Sequence, residues 1–470
     1  MDHSLDAHLR LLLEQQRRAF LAEPLPSLAQ RRERVARVLR MSREHADAIA
    51  AAISQDFGHR APQETALADL FTVQAAARHT LRHLRAWMRP RRMPTALHFW
   101  PGRNRLLPQP LGVVGVIAPW NYPWQLALSP ALAALAAGNR VLIKPSELTP
   151  ATSALMARLV GEYFAPEEMQ VVTGGAEVAR AFAALPFDHL FFTGSTAVGR
   201  LVAQAAAPNL TPVTLELGGK SPVIVHASAD LARVAERLAY AKLLNAGQTC
   251  IAPDYVLAPH GLVEPLAQAV LAAMRRLYPR IAGNPDYSSI VNSRHHARLQ
   301  GLLDEARTRG ARLLPSHADQ PEDRRLVPHL LLDVDEDMAV MREEIFGPLL
   351  PIVGCEDLDE ALRFVQRRDR PLALYFFGQD AAARDRVLRE THAGGVTVND
   401  CLWHIGQEDQ PFGGVGASGQ GAYHGRWGFE RFSHLKPVFL QPRWAGTRLF
   451  QPPYGRVFER LLGLLRRLAG

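Results

Sequence analysis

Apolar positions recur every three to four residues from 27 to 57 and again from 64 to 88, so the chain predicts two long amphipathic helices there. Gly58 stands where the first should stop. After the Pro/Arg break "RPRRMP" at 89–94 the pattern changes to short apolar runs rich in β-branched residues. "PLGVVGVIAPW", "RVLIKPS", "MQVVTG", "DHLFFTG" and "VTLELGG" read as strands, the first two as strands buried on both faces. The stretch "PWQLALSPALAALAAG" reads as a helix ending at Gly138, and "TPATSALMARLVGEYF" as one starting near Thr149 or Thr152. Strand and helix alternate from about 110 to 226, which predicts a parallel sheet with crossover helices and an α/β class. A second alternating region follows residue 230: helix "LARVAERLAYAKLLNAG", strand "DYVLAPH", strand "LALYFFG", helix "DAAARDRVLRETHAGG" and strand "VTVND".

At 470 residues and 47% hydrophobic content, the chain can bury large cores, and length suggests roughly two or three domains. The formal charge of +8 is a modest excess, rich in Arg, and its clusters read as solvated faces; no nucleic-acid-reading module accompanies them. The three cysteines, Cys250, Cys355 and Cys401, have no disulfide or zinc-ligand spacing, which fits a reducing compartment and predicts no metal site. The N-terminal stretch lacks a secretory apolar core, and no apolar run approaches the ~20 residues of a spanning helix, so a cytoplasmic protein is expected.

Several short segments carry candidate chemistry. "LLNAGQTCIAPDYVL" surrounds Cys250 with small and polar residues, a setting for a reachable sulfur rather than a core packer. In "FFTGSTAVGR", Gly194 and Gly199 bracket a strand-to-helix turn, either an anion-binding helix start or an ordinary packing turn. In "TLELGGKSP", Glu216 ends an apolar strand, where burial would raise its pKa and suit a general base, unless a salt bridge holds it. Gly219-Lys220-Ser221 resembles the tail of a phosphate-binding loop, but Thr214 occupies the position of the required first glycine, which excludes that motif. Asn121, past another strand end, is either an oxyanion donor or a helix cap. Lys144 and Glu147 in "IKPSE" could meet ribose and phosphate oxygens; Glu343, Glu344 and Phe346 lie in "REEIFGP".

Together "PWNYP", "KPSE", "FTGSTAVG", "LELGGK", "NAGQTC", "EEIFGP" and "PFGGVGASG" resemble, in order and wording, the aldehyde dehydrogenase superfamily, from about residue 27 to about 440. "NAGQTCIAPDYVL" and "GAYHGRWGFERFSH" resemble its class 3 branch, and "DFGHRAPQET" and "PFDHLFFTGSTAVGR" resemble enzymes acting on coniferyl aldehyde. The resemblance implies N-terminal helices at 1–94, oligomerisation strands at 95–110, and a Rossmann-type dinucleotide-binding domain at 111–226. An α/β catalytic domain at 227–425 and a return to the cofactor domain with a further oligomerisation strand and a C-terminal helix at 426–470 complete it. A β-flap from 95–110 and the region after Lys436 would join a homodimer. The same resemblance makes Cys250 the nucleophile and Glu216 the general base, with Asn121 and the Cys250 N–H as the oxyanion hole. Lys144, Glu147, Gly194, Ser195, Gly199, Glu344 and Phe346 would hold NAD, with NADP as the alternative.

The implied reaction oxidises a small-molecule aldehyde, aromatic or, alternatively, fatty, to its acid through a thiohemiacetal and thioester. It calls for a thiol whose pKa is lowered by a helix start or the cofactor's charge. A CoA-acylating relative would not need Glu216, and a silent structural member would not need the three residues together. Trp403 and Tyr122 are expected near the substrate, and Cys401 is expected to pack. In the tail "YGRVFERLLGLLRRLAG", Phe458, Leu461, Leu465 and Leu468 fall near one helical face. Docking on the protein's own subunit is the expectation for that face, ahead of an anionic membrane surface.

Overall fold

The computed structural model describes residues 3–318 and 320–469. Two mainly parallel sheets carry the molecule. The six-stranded sheet runs Gly419–Gln420, Val213–Glu216, His189–Thr193, Val113–Ile117, Arg140–Lys144 and Met169–Val171 in space; only the first pairing is antiparallel. The seven-stranded sheet runs Arg312–Pro315, His329–Leu332, Leu349–Cys355, Tyr255–Pro259, Pro222–Val225, Ala373–Phe377 and Gly395–Val398. A third, antiparallel sheet joins Arg91–Met93, Arg103–Pro110 and Ser433–Leu440.

Strands buried on both faces explain the continuous apolar runs: Val113–Ile117 and His189–Thr193 are buried throughout. The helix Gln125–Ala137 is apolar all round because every one of its residues is buried, and it ends at Gly138 in the left-handed conformation. Gly58 ends the helix Ala46–Phe57 in the same way. The expected single helix over 27–57 is two, Leu28–Glu44 and Ala46–Phe57, separated at His45; Ser27 and Gln30 form a capping box at the start of the first. The expected helix over 64–88 starts at Pro62 and contains a π-helical turn, Ala66–Phe71, before continuing as Thr72–Trp87.

Sheet membership also moves the expected break at residue 226. Pro222–Val225 pairs with Tyr255–Pro259 and Ala373–Phe377 in the second sheet, so the crossing between sheets is the loop 217–221. A strand seen only as an apolar run carries no mark of which sheet it joins. The chain returns to the first sheet at Gly419–Gln420, before the expected residue 426. The register places Ile117, Lys144, Thr193 and Glu216 at one end of the first sheet, the carboxyl end where ligand crevices open in α/β folds. Tyr255 begins its strand opposite Pro222, so Cys250 arrives at the amino end of the second sheet.

Candidate active site

Cys250 sits on a backbone that bends sharply. After the helix Leu231–Leu243, Asn245, Ala246 and Gly247 take successive positive φ values of 53°, 51° and 74°. A side chain at Gly247 would put its Cβ 2.3 Å from the Gly347 carbonyl oxygen, so the glycine is required by space as well as by φ. For Ala246 the left-handed conformation costs roughly 1–2 kcal/mol, and the surrounding bonds must offset it. They are numerous. The Asn245 N–H donates to Glu64 Oε1 at 3.0 Å, and its amide donates to the Asn121 carbonyl at 3.0 Å and the Gln248 carbonyl at 3.2 Å. Gln248 in turn donates to the Asn245 and Ser289 carbonyls and accepts from the Val291 N–H. The polar residues around Cys250 are therefore buried scaffolding, not a solvated loop.

Asn121 is held from two sides. Its carbonyl accepts from Arg60 Nη1 at 3.1 Å as well as from Asn245, and its Nδ2 donates one hydrogen to the Gln248 carbonyl at 3.2 Å. The amide's second hydrogen is left for another acceptor. Glu216 is only 3% exposed, and neither of its carboxylate oxygens has a hydrogen-bond partner. Burial therefore raises its pKa well above the usual carboxylate range, against a weak opposing pull from Arg431. The salt bridge that would have explained Glu216 otherwise is not formed.

The thiol differs from expectation. Cys250 is partly exposed, yet desolvation, then the charges of Glu344 and Glu216, push it up to about 12. No helix begins at Cys250, and the charged groups that raise its pKa are carboxylates, so the chain's own groups do not supply the lowered thiol pKa expected of the sequence.

Cys250, Glu216 and Asn121 share one groove of about 890 Å³ with Gly194, Ser195, Glu344 and Phe346. Ser195 caps the helix Thr196–Ala206, accepting from the Val198 N–H at 3.4 Å, and Thr196, Ala197 and Arg200 from that helix also line the groove. Phe346, at φ 49°, meets Trp120 edge-on at 5.3 Å and makes an aromatic wall. The Glu344 carboxylate lies over Gly218, where a Cβ would be 2.2 Å from Oε2; burial and Asp254 push it up to about 8. A helix start for an anion, aromatic walls for a ring and the unpartnered buried Thr193 Oγ1 together fit a dinucleotide.

Three expected cofactor residues stand apart from this lining. Lys144 is buried and donates to Glu147 at 3.3 Å and to the Pro145 carbonyl, and Glu147 is half-exposed beside it. Gly199 is buried; a Cβ there would be 2.6 Å from Leu217, so it permits close helix–sheet packing. Lys220, which suggested a phosphate loop, instead pairs with Asp254 and donates to the Val340 and Glu343 carbonyls, while Asp254 accepts from the Ile345 N–H. These bonds fix the segment that carries Glu344.

A second, apolar cavity of about 180 Å³ reaches Cys250's neighbours Thr249 and Ile251. Tyr122 and Trp403 both line it, as does Tyr240, stacked on Trp403 at 14°. Cys401 is buried and free, a packing residue as expected. Sequence reasoning missed the buried support of the site: Glu64, Arg60 and Asp69. Arg60 and Asp69 form an ion pair at 3.1 Å with both side chains 0% exposed. The one available signal was polar residues at helical core positions in "DFGHRAPQETALADLF".

The family model for "Aldehyde dehydrogenase family" matches residues 7–438. The chain belongs to the aldehyde dehydrogenase family. A coniferyl aldehyde dehydrogenase of a Pseudomonas species is 46% identical over 96% of this chain and 95% of its own. Aldehyde dehydrogenase family 3 member A2 of Macaca fascicularis is 39% identical over 93% of this chain and 90% of its own. A substrate-bound structure of Staphylococcus aureus AldH superimposes with a TM-score of 0.92 at 37% identity, covering 97% of this chain and 99% of that one. The protein is thus an aldehyde dehydrogenase of the family's class 3-like branch, with the family's fold and its use of NAD(P).

Proposed function

We propose that this aldehyde dehydrogenase oxidises an aromatic aldehyde of the coniferyl type to its carboxylic acid, with Cys250 as nucleophile, Glu216 as general base and Asn121 as oxyanion donor. The observation that carries the reading is Glu216, a buried carboxylate with both oxygens unbonded on a groove wall that also holds Cys250 and Asn121. The Cys250 sulfur adds to the carbonyl carbon and its proton passes to water. The alkoxide formed accepts from the free Asn121 amide hydrogen and the Cys250 N–H. A bound nicotinamide dinucleotide supplies the hydride acceptor, and a thioester is left on Cys250. Glu216 then takes a proton from water as its oxygen attacks the thioester carbon; the C–S bond breaks, the acid is freed, and the Cys250 sulfur leaves as thiolate and regains a proton.

Gly194, Ser195, Glu344 and Phe346 are assigned to the dinucleotide by their place on the groove; Lys144, Glu147 and Gly199 are assigned by the family motif. NAD is the preferred form, because the Glu147 carboxylate opposes a 2′-phosphate, and NADP is the second. Three free cysteines suit a reducing cytoplasm. No helix among the described residues is long and apolar enough to cross a membrane. The tail helix Arg456–Ala469 is assigned to its own subunit. Phe458, Leu461 and Leu465 are half-buried on one face, and Phe458 packs 4.9 Å from Tyr454; the Leu468 side chain lies outside the described residues.

A second reading, medium- and long-chain aldehydes, is favoured by the aliphatic stretch of the apolar cavity at Leu67, Leu132, Ala133 and Ala136. A panel of coniferyl, benzyl and long-chain aldehydes, read as NADH formation, separates the two. Highest kcat/KM on coniferyl aldehyde is expected, and Cys250→Ala abolishes turnover on every substrate while keeping NAD binding. Preference for the long-chain aldehyde overturns the aromatic assignment, and turnover by Cys250→Ala overturns the nucleophile.

A further inference from the structure

The apolar cavity beside Cys250 is lined mainly by aromatic and aliphatic side chains, with threonine and serine hydroxyls, the Gln125 amide and the His424 ring among them, and its one carboxylate is Glu408. It comes from the segment between the turn Trp403–Gly406 and Phe412. One of its oxygens, Oε2, accepts from the Gly425 N–H at 3.2 Å; no bond to another described residue engages Oε1. Glu408 is half-buried, and burial pushes its carboxyl up to about 7, so a hydrogen-bond donor that reaches it from the cavity side is favoured. Tyr423 connects this end of the cavity to the reacting end. It is buried and lines the same cavity, and burial first, then its nearness to Glu216, Cys250 and Glu408, raises the pKa of its hydroxyl.

We propose that Glu408 is a specificity-determining residue that accepts a hydrogen bond from a hydroxyl at the end of the substrate remote from the aldehyde, selecting hydroxylated aromatic aldehydes over their ethers. This rests on the reading that the protein oxidises coniferyl-type aldehydes, whose ring hydroxyl lies at the far end of a flat, apolar body. An apolar cavity accepts that body through its aromatic walls, Tyr122, Tyr240 and Trp403, but a hydroxyl buried there without a partner is penalised. A site built around such a hydroxyl discriminates strongly, because the analogue lacking it leaves the site's own polar group unpaired.

The test compares coniferyl aldehyde with its 4-O-methyl ether in the wild type, Glu408→Leu and Glu408→Gln, reading kcat/KM from NADH formation. The wild type is expected to prefer the hydroxylated substrate roughly 10- to 100-fold, the range for one hydrogen bond to a charged group. In Glu408→Leu that ratio falls to near unity. Glu408→Gln keeps an acceptor for the Gly425 N–H and replaces the free oxygen with a donor, so the fold is spared while the ratio still falls. If Glu408 only supports Gly425, Glu408→Leu lowers both substrates alike and the ratio survives, which overturns the proposal. A wild-type ratio near unity overturns it too, while leaving aromatic aldehyde oxidation intact. If the wild type oxidises neither aromatic aldehyde, the aromatic reading has failed. The same ratio, read with ω-hydroxylated and plain alkanals, then decides whether Glu408 recognises a distal hydroxyl at all.

Discussion

Glu216 ends its strand with both carboxylate oxygens buried and unbonded, an arrangement that is costly unless the oxygens have later work to do. In the proposed mechanism Asn121 and Cys250, on the same groove, serve bond formation, and Glu216 is the group that takes a proton from water. Replacing Glu216 with Gln keeps the size of the side chain and removes the proposed base. The expected outcome is a burst of NADH of up to one equivalent per site, then turnover slowed about 10²- to 10⁴-fold, the usual worth of general-base help. Intact-mass measurement should find the acyl group on Cys250. Steady turnover near the wild-type rate with no trapped acyl-enzyme would require another group to activate the water. The residues of this arrangement were legible in the sequence because each sits beside a strand end or a glycine turn, where an apolar run stops and a polar residue stands out. The raised pKa of Cys250 was not legible. It depends first on burial of the sulfur and then on the charge of Glu344, which is 94 positions away in the chain and is brought near only by the fold.

At the scale of elements, strands and most helix ends followed the apolar pattern, and the glycine stops at 58 and 138 fell where expected. The break at His45 and the π-turn Ala66–Phe71 did not, since neither interrupts the periodicity with a Gly or Pro. The π-turn has a use. It carries Asp69, whose Oδ1 accepts from the Trp124 and Gln125 N–H groups at the start of the central helix while Oδ2 pairs with Arg60. Arg60 passes the restraint on to the Asn121 carbonyl. One buried ion pair thus ties the N-terminal helices to the loop presenting Asn121. Removing one partner of a buried pair typically costs about 3–5 kcal/mol, because the other charge remains buried. Arg60→Met is therefore expected to lower Tm by several degrees and to reduce kcat through misplacement of Asn121. Asp69→Asn, which keeps the acceptor for both N–H groups, should be milder in Tm. Thermal unfolding and steady-state kinetics of the two variants check this; unchanged Tm and kcat in Arg60→Met would remove the positioning role.

For the whole molecule, the two large sheets enclose the site, whereas the third sheet lies outside it with an unpaired edge. Ser433–Leu440 pairs with Arg103–Pro110 on one side only. Phe439 and Leu440 on that edge are 44% and 42% exposed, Phe439 meets the exposed Phe99 edge-on at 5.8 Å, and Trp100 and Trp444 are exposed nearby in the chain. An unpaired edge flanked by large apolar side chains is a template for pairing with another copy. Family resemblance names the same segment as the subunit flap, so a homodimer is the expected assembly. The third sheet is also continuous with the groove wall that bears Glu216. Gly419–Gln420 pairs with the strand bearing Glu216, and the helix Gly425–Arg431 leads from there into Ser433–Leu440. Introducing charge on that edge, Phe439→Glu with Leu440→Lys, should convert a dimer of 52.0 kDa chains to monomers in sedimentation velocity. Activity should fall with the fraction of dimer, because loosening the flap loosens the strand pairing behind Glu216. A wild type that sediments as a monomer, or a charged-edge variant that remains dimeric, would place the subunit contact elsewhere.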